Sequence, residues 1–290
     1  MYTHLQLRDS TRPPVSLATL HKMKAEGEKI ASLTCYDASF AALVDEADAD
    51  IVLVGDSLGM VVLGQPDTTQ VTMADMIHHT RAVARGAAKT LVAADLPAGS
   101  CATPELAVKN SRLLREAGAD LVKIEGGREI LPMLQAIIAD GIPVIGHLGM
   151  LPQRVVEEGG YRIKGKSDTE AERLAADAQA LAEAGVQALV LELVHAPLAA
   201  QITRAVPCPT IGIGAGGHRL HRHIGGGSNV GSELELFAGR HSANRTRHPR
   251  TRRGGRQRRA EEVQFGVAKV VERPPSRHDH RVCMAQTQDR

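Results

Sequence analysis

The chain has no tryptophan and only three tyrosines and three phenylalanines among its 290 residues. So few flat platforms point away from a protein that holds nucleic acid by stacking on its bases. Nowhere does an apolar stretch reach the roughly 18 uninterrupted residues of a membrane-spanning helix, and Met1–Pro14 lacks the apolar core of a secretory leader. No membrane partner is expected. The four cysteines, Cys35, Cys101, Cys208 and Cys283, are isolated, with no C-x-x-C pair. That spacing excludes a sequence-local zinc motif, disfavours a disulfide framework, and suits a reducing cytoplasm.

What is present divides sharply by charge. Up to Gly216 there are 19 Lys and Arg against 26 Asp and Glu, a net of −7; beyond it there are 16 against 7, a net of +9. Of those 16 basic residues 15 are arginine, and seven of the chain's 13 histidines also fall there. Residues 1–216 therefore read as one catalytic domain. Residues 217–290 read as an Arg/Gly/His-rich tail, expected to be disordered, since it has few apolar residues with which to build a core. A basic run can hold nucleic acid electrostatically, but without interleaved aromatics a solvated tail is the simpler reading.

From Ser16 to about Ala215 strand-like and helix-like segments alternate. The predicted strands are Ile30–Cys35, Ile51–Val54, Thr90–Ala94, Leu121–Ile124, Pro143–Gly146, Ala188–Leu193 and Thr210–Ile213. Amphipathic stretches lie between them at Thr72–Arg85, Pro104–Ala117, Glu129–Asp140 and Thr169–Ala184, with Thr103 as an N-cap and Pro104 in a first turn. Gly86, Gly118, Gly141 and Gly185 stand where helices should stop. EAGADLV (Glu116–Val122) and EAGVQALV (Glu183–Val190) repeat one helix–turn–strand joint. This is βα logic, and it predicts an α/β fold, a (β/α)8 TIM barrel, with Leu17–Glu26 plugging its closed end. The eighth βα unit is missing or replaced: GGHRLHRHIGGGSNVG reads as turn chemistry, and Arg240–Arg259 is arginine-rich. GIGAGG (Gly212–Gly217) looks like a phosphate loop but is read as the close-packed end of strand seven.

Charged groups close several of the buried runs, and a charge at a buried strand end is costly unless it is paired, bound to metal or used in chemistry. Asp56 and Asp95 either offer oxygen ligands to Mg2+ or serve as a cap and an Asx turn. Glu125 completes that environment or caps its loop. Lys123, two residues earlier on the same face, either neutralises a substrate carboxylate or pairs with Glu125. Glu192 sits inside ALVLELV, where aliphatic neighbours suit a general base, or else it is tied up by a buried cation. His147 either holds an oxyanion or is a satisfied core residue.

Taken in order, LTCYDASFA (Leu33–Ala41), LVGDSLGMVVLG (Leu53–Gly64), LVAADLP (Leu91–Pro97), LVKIEGG (Leu121–Gly127), PVIGHLGMLPQ (Pro143–Gln153), GGYRIKGK (Gly159–Lys166), LVLELV (Leu189–Val194) and PTIGIGAG (Pro209–Gly216) resemble the ketopantoate hydroxymethyltransferase family over about residues 16–216. The resemblance implies a barrel assembled as a homodecamer in the cytoplasm, which moves a hydroxymethyl group from 5,10-methylenetetrahydrofolate to 3-methyl-2-oxobutanoate. It implies Mg2+ on Asp56 and Asp95 with Glu125 in the inner or outer shell, and oxo-acid contacts from Asp56, Ser57, Asp95 and Lys123. His147 would lie near the substrate carboxylate or oxo group, and Glu192 would be the proton acceptor. Another Mg-dependent 2-oxo acid lyase or mutase, or a barrel inactive for want of strand eight, are the alternatives.

The chain departs from the family in three places. Ala98-Gly99-Ser100-Cys101 is small and should loosen its loop, and His195 intervenes before Pro197. After Gly216 the family's Asp-Gly segment and last helices are replaced by arginine-rich, lysine-poor sequence, as a shifted reading frame of GC-rich DNA would produce. Resequencing the coding DNA tests that origin.

Overall fold

The aliphatic runs become strands and the amphipathic runs helices, within a residue or two of the predicted ends except after Pro143. The computed structural model describes residues 12–215 and 221–224. Eight parallel strands form a closed barrel in chain order. They are β1 (Ile30–Thr34), β2 (Ile51–Val54), β3 (Leu91–Asp95), β4 (Leu121–Glu125), β5 (Val144–Gly149), β6 (Ala188–Glu192), β7 (Thr210–Ile213) and β8 (His221–Ile224). In chain order the helices are α1 (Leu17–Glu26), α2 (Ala38–Glu46), α3 (Leu58–Val61), α4 (Met73–Gly86), α5 (Pro104–Glu116), α6 (Leu131–Ala139), α7 (Asp168–Glu183) and α8 (Ala196–Ala205). A 3-10 turn, Arg128–Ile130, replaces the first turn expected before α6. Among the described residues no helix is long and apolar enough to cross a membrane.

Side chains alternate across each strand, and two separate cores follow from that period of two. Val52, Val92, Val122, Val144 and Leu189 pack outward against the helices. Ile51, Leu53, Leu91, Ala93, Leu121, Ile145, Ala188, Val190 and Ile211 fill the barrel. The second core continues into α1, as the plug reading required: Leu20 and Met23 pack with Ile30 and Ile51 at the strand starts. Ser16 and Thr19 form a capping box at the helix start, and Gly27, at φ +70°, ends it. Leu20→Ala is expected to cost about 2–5 kcal/mol, because the plug is fully buried and the closed end has little room to collapse. A urea midpoint that does not move would show that the plug contributes no packing.

The helix punctuation is only partly as predicted. Thr103 accepts from the Leu106 N–H at 3.3 Å, and Gly118, Gly141 and Gly185 adopt positive φ. Gly86 does not; it is the last residue of α4, where a Cβ would lie 2.3 Å from the Ala38 carbonyl oxygen. Close approach of two helices, not a left-handed stop, requires glycine there.

The turn-only reading of the segment after Gly216 is corrected for four residues. His221–Ile224 pairs in parallel with β1, from Ile30↔His221 to Leu33↔Ile224, and with β7 at Ile211↔His221 and Gly212↔Arg222. The eighth strand is thus replaced rather than absent, and β1 and β7 present no open edge to each other. The tail reading and its boundary at Gly216 lie largely outside the described residues.

Candidate active site

The inward positions of β3 are Leu91, Ala93 and Asp95; those of β4 are Leu121, Lys123 and Glu125. On β5 they include Ile145 and His147, and on β6 Ala188, Val190 and Glu192. In each strand the inner aliphatic residues come first and the polar group last. A single charged layer therefore caps the apolar one at the C-terminal rim, the face on which such barrels carry catalytic groups. Asp56 joins from just beyond β2, after Gly55, where a Cβ would stand 2.8 Å from Ser57 Oγ.

Every predicted site residue lies at this rim. Lys123 Nζ is 3.3 Å from Asp95 Oδ1 and 3.5 Å from Glu125 Oε1, and it donates to His147 Nδ1 at 3.0 Å. An ammonium group can only donate, so Nδ1 accepts and the ring proton sits on Nε2. That nitrogen is 3.4 Å from Glu192 Oε2. Glu125 Oε1 also lies 3.3 Å from His147 Nδ1. Of the two roles the sequence left open for Lys123, the pairing with Glu125 is present.

Asp56 and Asp95 meet through the backbone: the Asp56 N–H donates to Asp95 Oδ2 at 3.0 Å. Both carboxyls are buried. Burial, reinforced by Asp95, pushes the Asp56 carboxyl up to about 8 despite Lys123. Burial likewise raises Asp95, against the pull of Lys123. Glu125 goes the other way: burial would raise it, but Lys123, with help from the Gln153 N–H, prevails and holds it at about 2. Asp95 Oδ1 and Glu125 Oε1 are buried and accept no hydrogen bond. Asp56, Asp95, Glu125 and Glu192 surround one lysine, so the four acids can ionise together only if a further cation offsets their charge.

The setting of Glu192 differs from the one its sequence neighbours imply. Leu189 and Leu191 belong to the outer core, so they back the strand rather than surround the carboxylate. The side chain keeps 15% exposure beside His147. Its strand end is tightly framed: a Cβ on Gly149 would lie 2.1 Å from the Glu192 carbonyl oxygen, and Leu193 takes a left-handed φ of +46°.

Two participants were missed. Tyr36, just after β1, shares a 2.9 Å hydrogen bond with Ser57 Oγ, and burial holds its hydroxyl near a pKa of about 12. Gln153, in the 3-10 turn Pro152–Arg154, reaches Asp56, Leu96 and Glu125. Both lie in loops, where no periodicity marks them. The two local departures are also absorbed. The small loop is not loose: Ser100 N–H closes a turn on the Pro97 carbonyl at 3.0 Å, and Asn110 Nδ2 donates to the Ser100 carbonyl at 2.8 Å. His195 precedes α8, with Pro197 in its first turn.

Among the described residues no three His, Cys, Asp or Glu side chains form a ready metal cage. Two carboxylates suffice for Mg2+, which ordinarily keeps waters and takes substrate oxygens as ligands.

Residues 14–220 match the ketopantoate hydroxymethyltransferase family. The chain is 54% identical to 3-methyl-2-oxobutanoate hydroxymethyltransferase from Moorella thermoacetica over 207 residues, 71% of this chain and 77% of the relative. It is 53% identical to the enzyme of that name from Ignicoccus hospitalis over 203 residues, 70% and 77% of the two. Among solved structures it is similar to phosphonopyruvate hydrolase in complex with oxalate and Mg++ (TM-score 0.56, 13% identity, 80% of this chain and 86% of that one). It is also similar to 2,3-dimethylmalate lyase, a PEP mutase/isocitrate lyase superfamily member (TM-score 0.52, 16% identity, 80% and 87%). At those identities the likeness is one of fold.

Proposed function

The chain belongs to the ketopantoate hydroxymethyltransferase family, and from that premise we propose that it transfers a hydroxymethyl group from 5,10-methylenetetrahydrofolate to 3-methyl-2-oxobutanoate, giving 2-dehydropantoate. It is an enzyme, a hydroxymethyltransferase of the pantothenate pathway. The observation that carries the finer reading is the pair Asp56 and Asp95, buried side by side at the rim and joined by the Asp56 N–H to Asp95 Oδ2.

Asp56 and Asp95 would hold Mg2+, with Glu125 outside direct coordination, since Lys123 and the Gln153 N–H already engage it. When bound, Mg2+ polarises the carbonyl of the oxo acid and favours loss of the proton from C3. Glu192 takes that proton. His147, aligned by Lys123, directs its Nε2–H at Glu192 and keeps the carboxylate in place. Lys123 offsets the negative charge of the substrate, and Ser57, held by Tyr36, contacts the acid. The resulting enolate attacks the methylene carbon as one of its two C–N bonds to the folate breaks. Water then displaces the second nitrogen and supplies the hydroxyl, and tetrahydrofolate leaves with its two nitrogens protonated, one proton from C3 by way of Glu192 and one from water.

Residues 1–216 are proposed as the catalytic domain, within a cytoplasmic homodecamer whose partners are the oxo acid and the folate. The described thiols, Cys35, Cys101 and Cys208, are free, which accords with a reducing compartment. A lyase or mutase reading draws support from fold alone.

Deuterium exchange at C3 of 3-methyl-2-oxobutanoate tests the chemistry before the folate is involved. With Mg2+ and the full chain, exchange is expected to be metal-dependent. Its absence from a folded chain would mean that the rim residues do not assemble a working site. Transfer dependent on methylenetetrahydrofolate would then separate this reaction from a lyase or mutase.

A further inference from the structure

Gln153 is joined to more of the rim than any residue with an assigned role would require of it. Its side-chain Nε2 lies 2.8 Å from Asp56 Oδ2 and 3.0 Å from the Leu96 carbonyl oxygen. Its backbone N–H donates to Glu125 Oε2 at 3.2 Å. One residue therefore touches the loop after β2, the end of β3 and the end of β4. The orientation of the amide follows from its neighbours. A carboxylate oxygen and a backbone carbonyl both accept, so only the NH2 group can face them; turned over, the amide would set oxygen against two oxygens. Both of its protons are committed, which fixes the side chain as well as its partner.

The Gln153 backbone is fixed in turn. Met150 N–H donates to the Glu192 carbonyl at 2.8 Å, and Arg154 N–H closes on the Leu151 carbonyl at 2.9 Å. Met150 and Leu151 are buried, and Pro152 stiffens the entry to the turn. Gln153 is thus carried on a rigid segment tied to the strand of Glu192, and it reaches across to the acids on the opposite part of the rim.

The two aspartates are clamped in matching fashion. Asp95 Oδ2 receives the Asp56 N–H while Oδ1 accepts no hydrogen bond and lies 3.3 Å from Lys123 Nζ. Asp56 Oδ2 receives the Gln153 amide, which leaves its second oxygen for another partner. Glu125 is held on both sides, with Oε2 accepting from the Gln153 N–H and Oε1 lying 3.5 Å from Lys123 Nζ. We propose that Gln153 is the positioning residue of the candidate Mg2+ centre: its amide holds Oδ2 of Asp56 so that the other oxygen of that carboxylate is free to meet the cation, while its backbone N–H keeps Glu125 beside Lys123. This rests on the metal reading given above, and the experiment below separates the two.

Mn2+ is the probe, followed by its electron paramagnetic resonance signal in titrations of the full chain without substrate. Gln153→Ala is expected to weaken Mn2+ binding about 10- to 100-fold, the usual consequence of removing a group that orients a metal ligand. Gln153→Met removes the same donors while keeping the length of the side chain, so it reports on the clamp even if the alanine variant folds poorly. Thermal melting of the metal-free variants supplies the control: a purely structural residue would lower the melting temperature and leave the affinity of the folded fraction alone. At saturating metal, kcat is expected to recover, with the deficit confined to the metal concentration required. Asp56→Asn serves as the reference. If Asp56→Asn abolishes Mn2+ binding and Gln153→Met leaves it unchanged, Gln153 is not a positioning residue. If Asp56→Asn has no effect either, the metal site itself is wrong.

Discussion

Glu192→Gln is expected to lower turnover roughly 100- to 10,000-fold, the range associated with loss of a positioned general base. Glutamine keeps the length of the side chain and an oxygen that can accept from His147 Nε2, which lies 3.4 Å from Glu192 Oε2. It has no carboxylate with which to take the C3 proton. Exchange of deuterium into 3-methyl-2-oxobutanoate should therefore fall together with turnover. Mn2+ and oxo-acid affinities should stay as they are, because Asp56, Asp95 and Lys123 are untouched. Exchange lost without loss of binding would separate proton removal from substrate capture. Unchanged turnover would remove Glu192 as the base. The strand end adds a geometric demand, since Gly149 and the left-handed Leu193 leave little freedom around the Glu192 backbone.

The acids and the lysine were legible in the sequence because a barrel imposes a simple rule: inward residues recur every second position, and the later ones approach the rim. Asp95, Lys123, Glu125, His147 and Glu192 all obey it. The same rule explains where reading from neighbours failed. Leu191 adjoins Glu192 in the chain but faces the opposite side of the strand, so adjacency in sequence is not adjacency in space. Gln153 was invisible for another reason. Its partner Asp56 lies 97 positions away, and a glutamine in a short turn carries no periodic signal. Strand β8 was unreadable because His221–Ile224 has no apolar run. Its place is set by the edges of β1 and β7, which its backbone pairs with on both sides, a tertiary demand that propensity does not record.

Replacing both Asp56 and Asp95 by asparagine is expected to abolish metal-dependent binding of the oxo acid, and this is the largest effect to be anticipated at the site. Asparagine preserves the shape of each side chain and an oxygen for the Gln153 amide and for the Asp56 N–H, so the change removes charge rather than volume. The metal-free fold should survive it. Lys123 loses Asp95 but keeps Glu125 at 3.5 Å, so the buried cation is not left alone, and relief of repulsion between two buried carboxylates works in the fold's favour. The wild-type chain supplies a second, pH-based signature. Burial and the nearby Asp95 raise the Asp56 carboxyl to about 8, so below that pH the pair retains a proton that an incoming cation must displace. Mn2+ affinity is therefore expected to rise with pH and level off above about 8, with a slope approaching tenfold per unit on the acid side, because binding one cation releases one proton. The asparagine variant has no such proton to lose, and any residual binding should be flat across the same range. Retained affinity in the double variant, or a wild-type affinity indifferent to pH, would place the cation somewhere other than between these two aspartates.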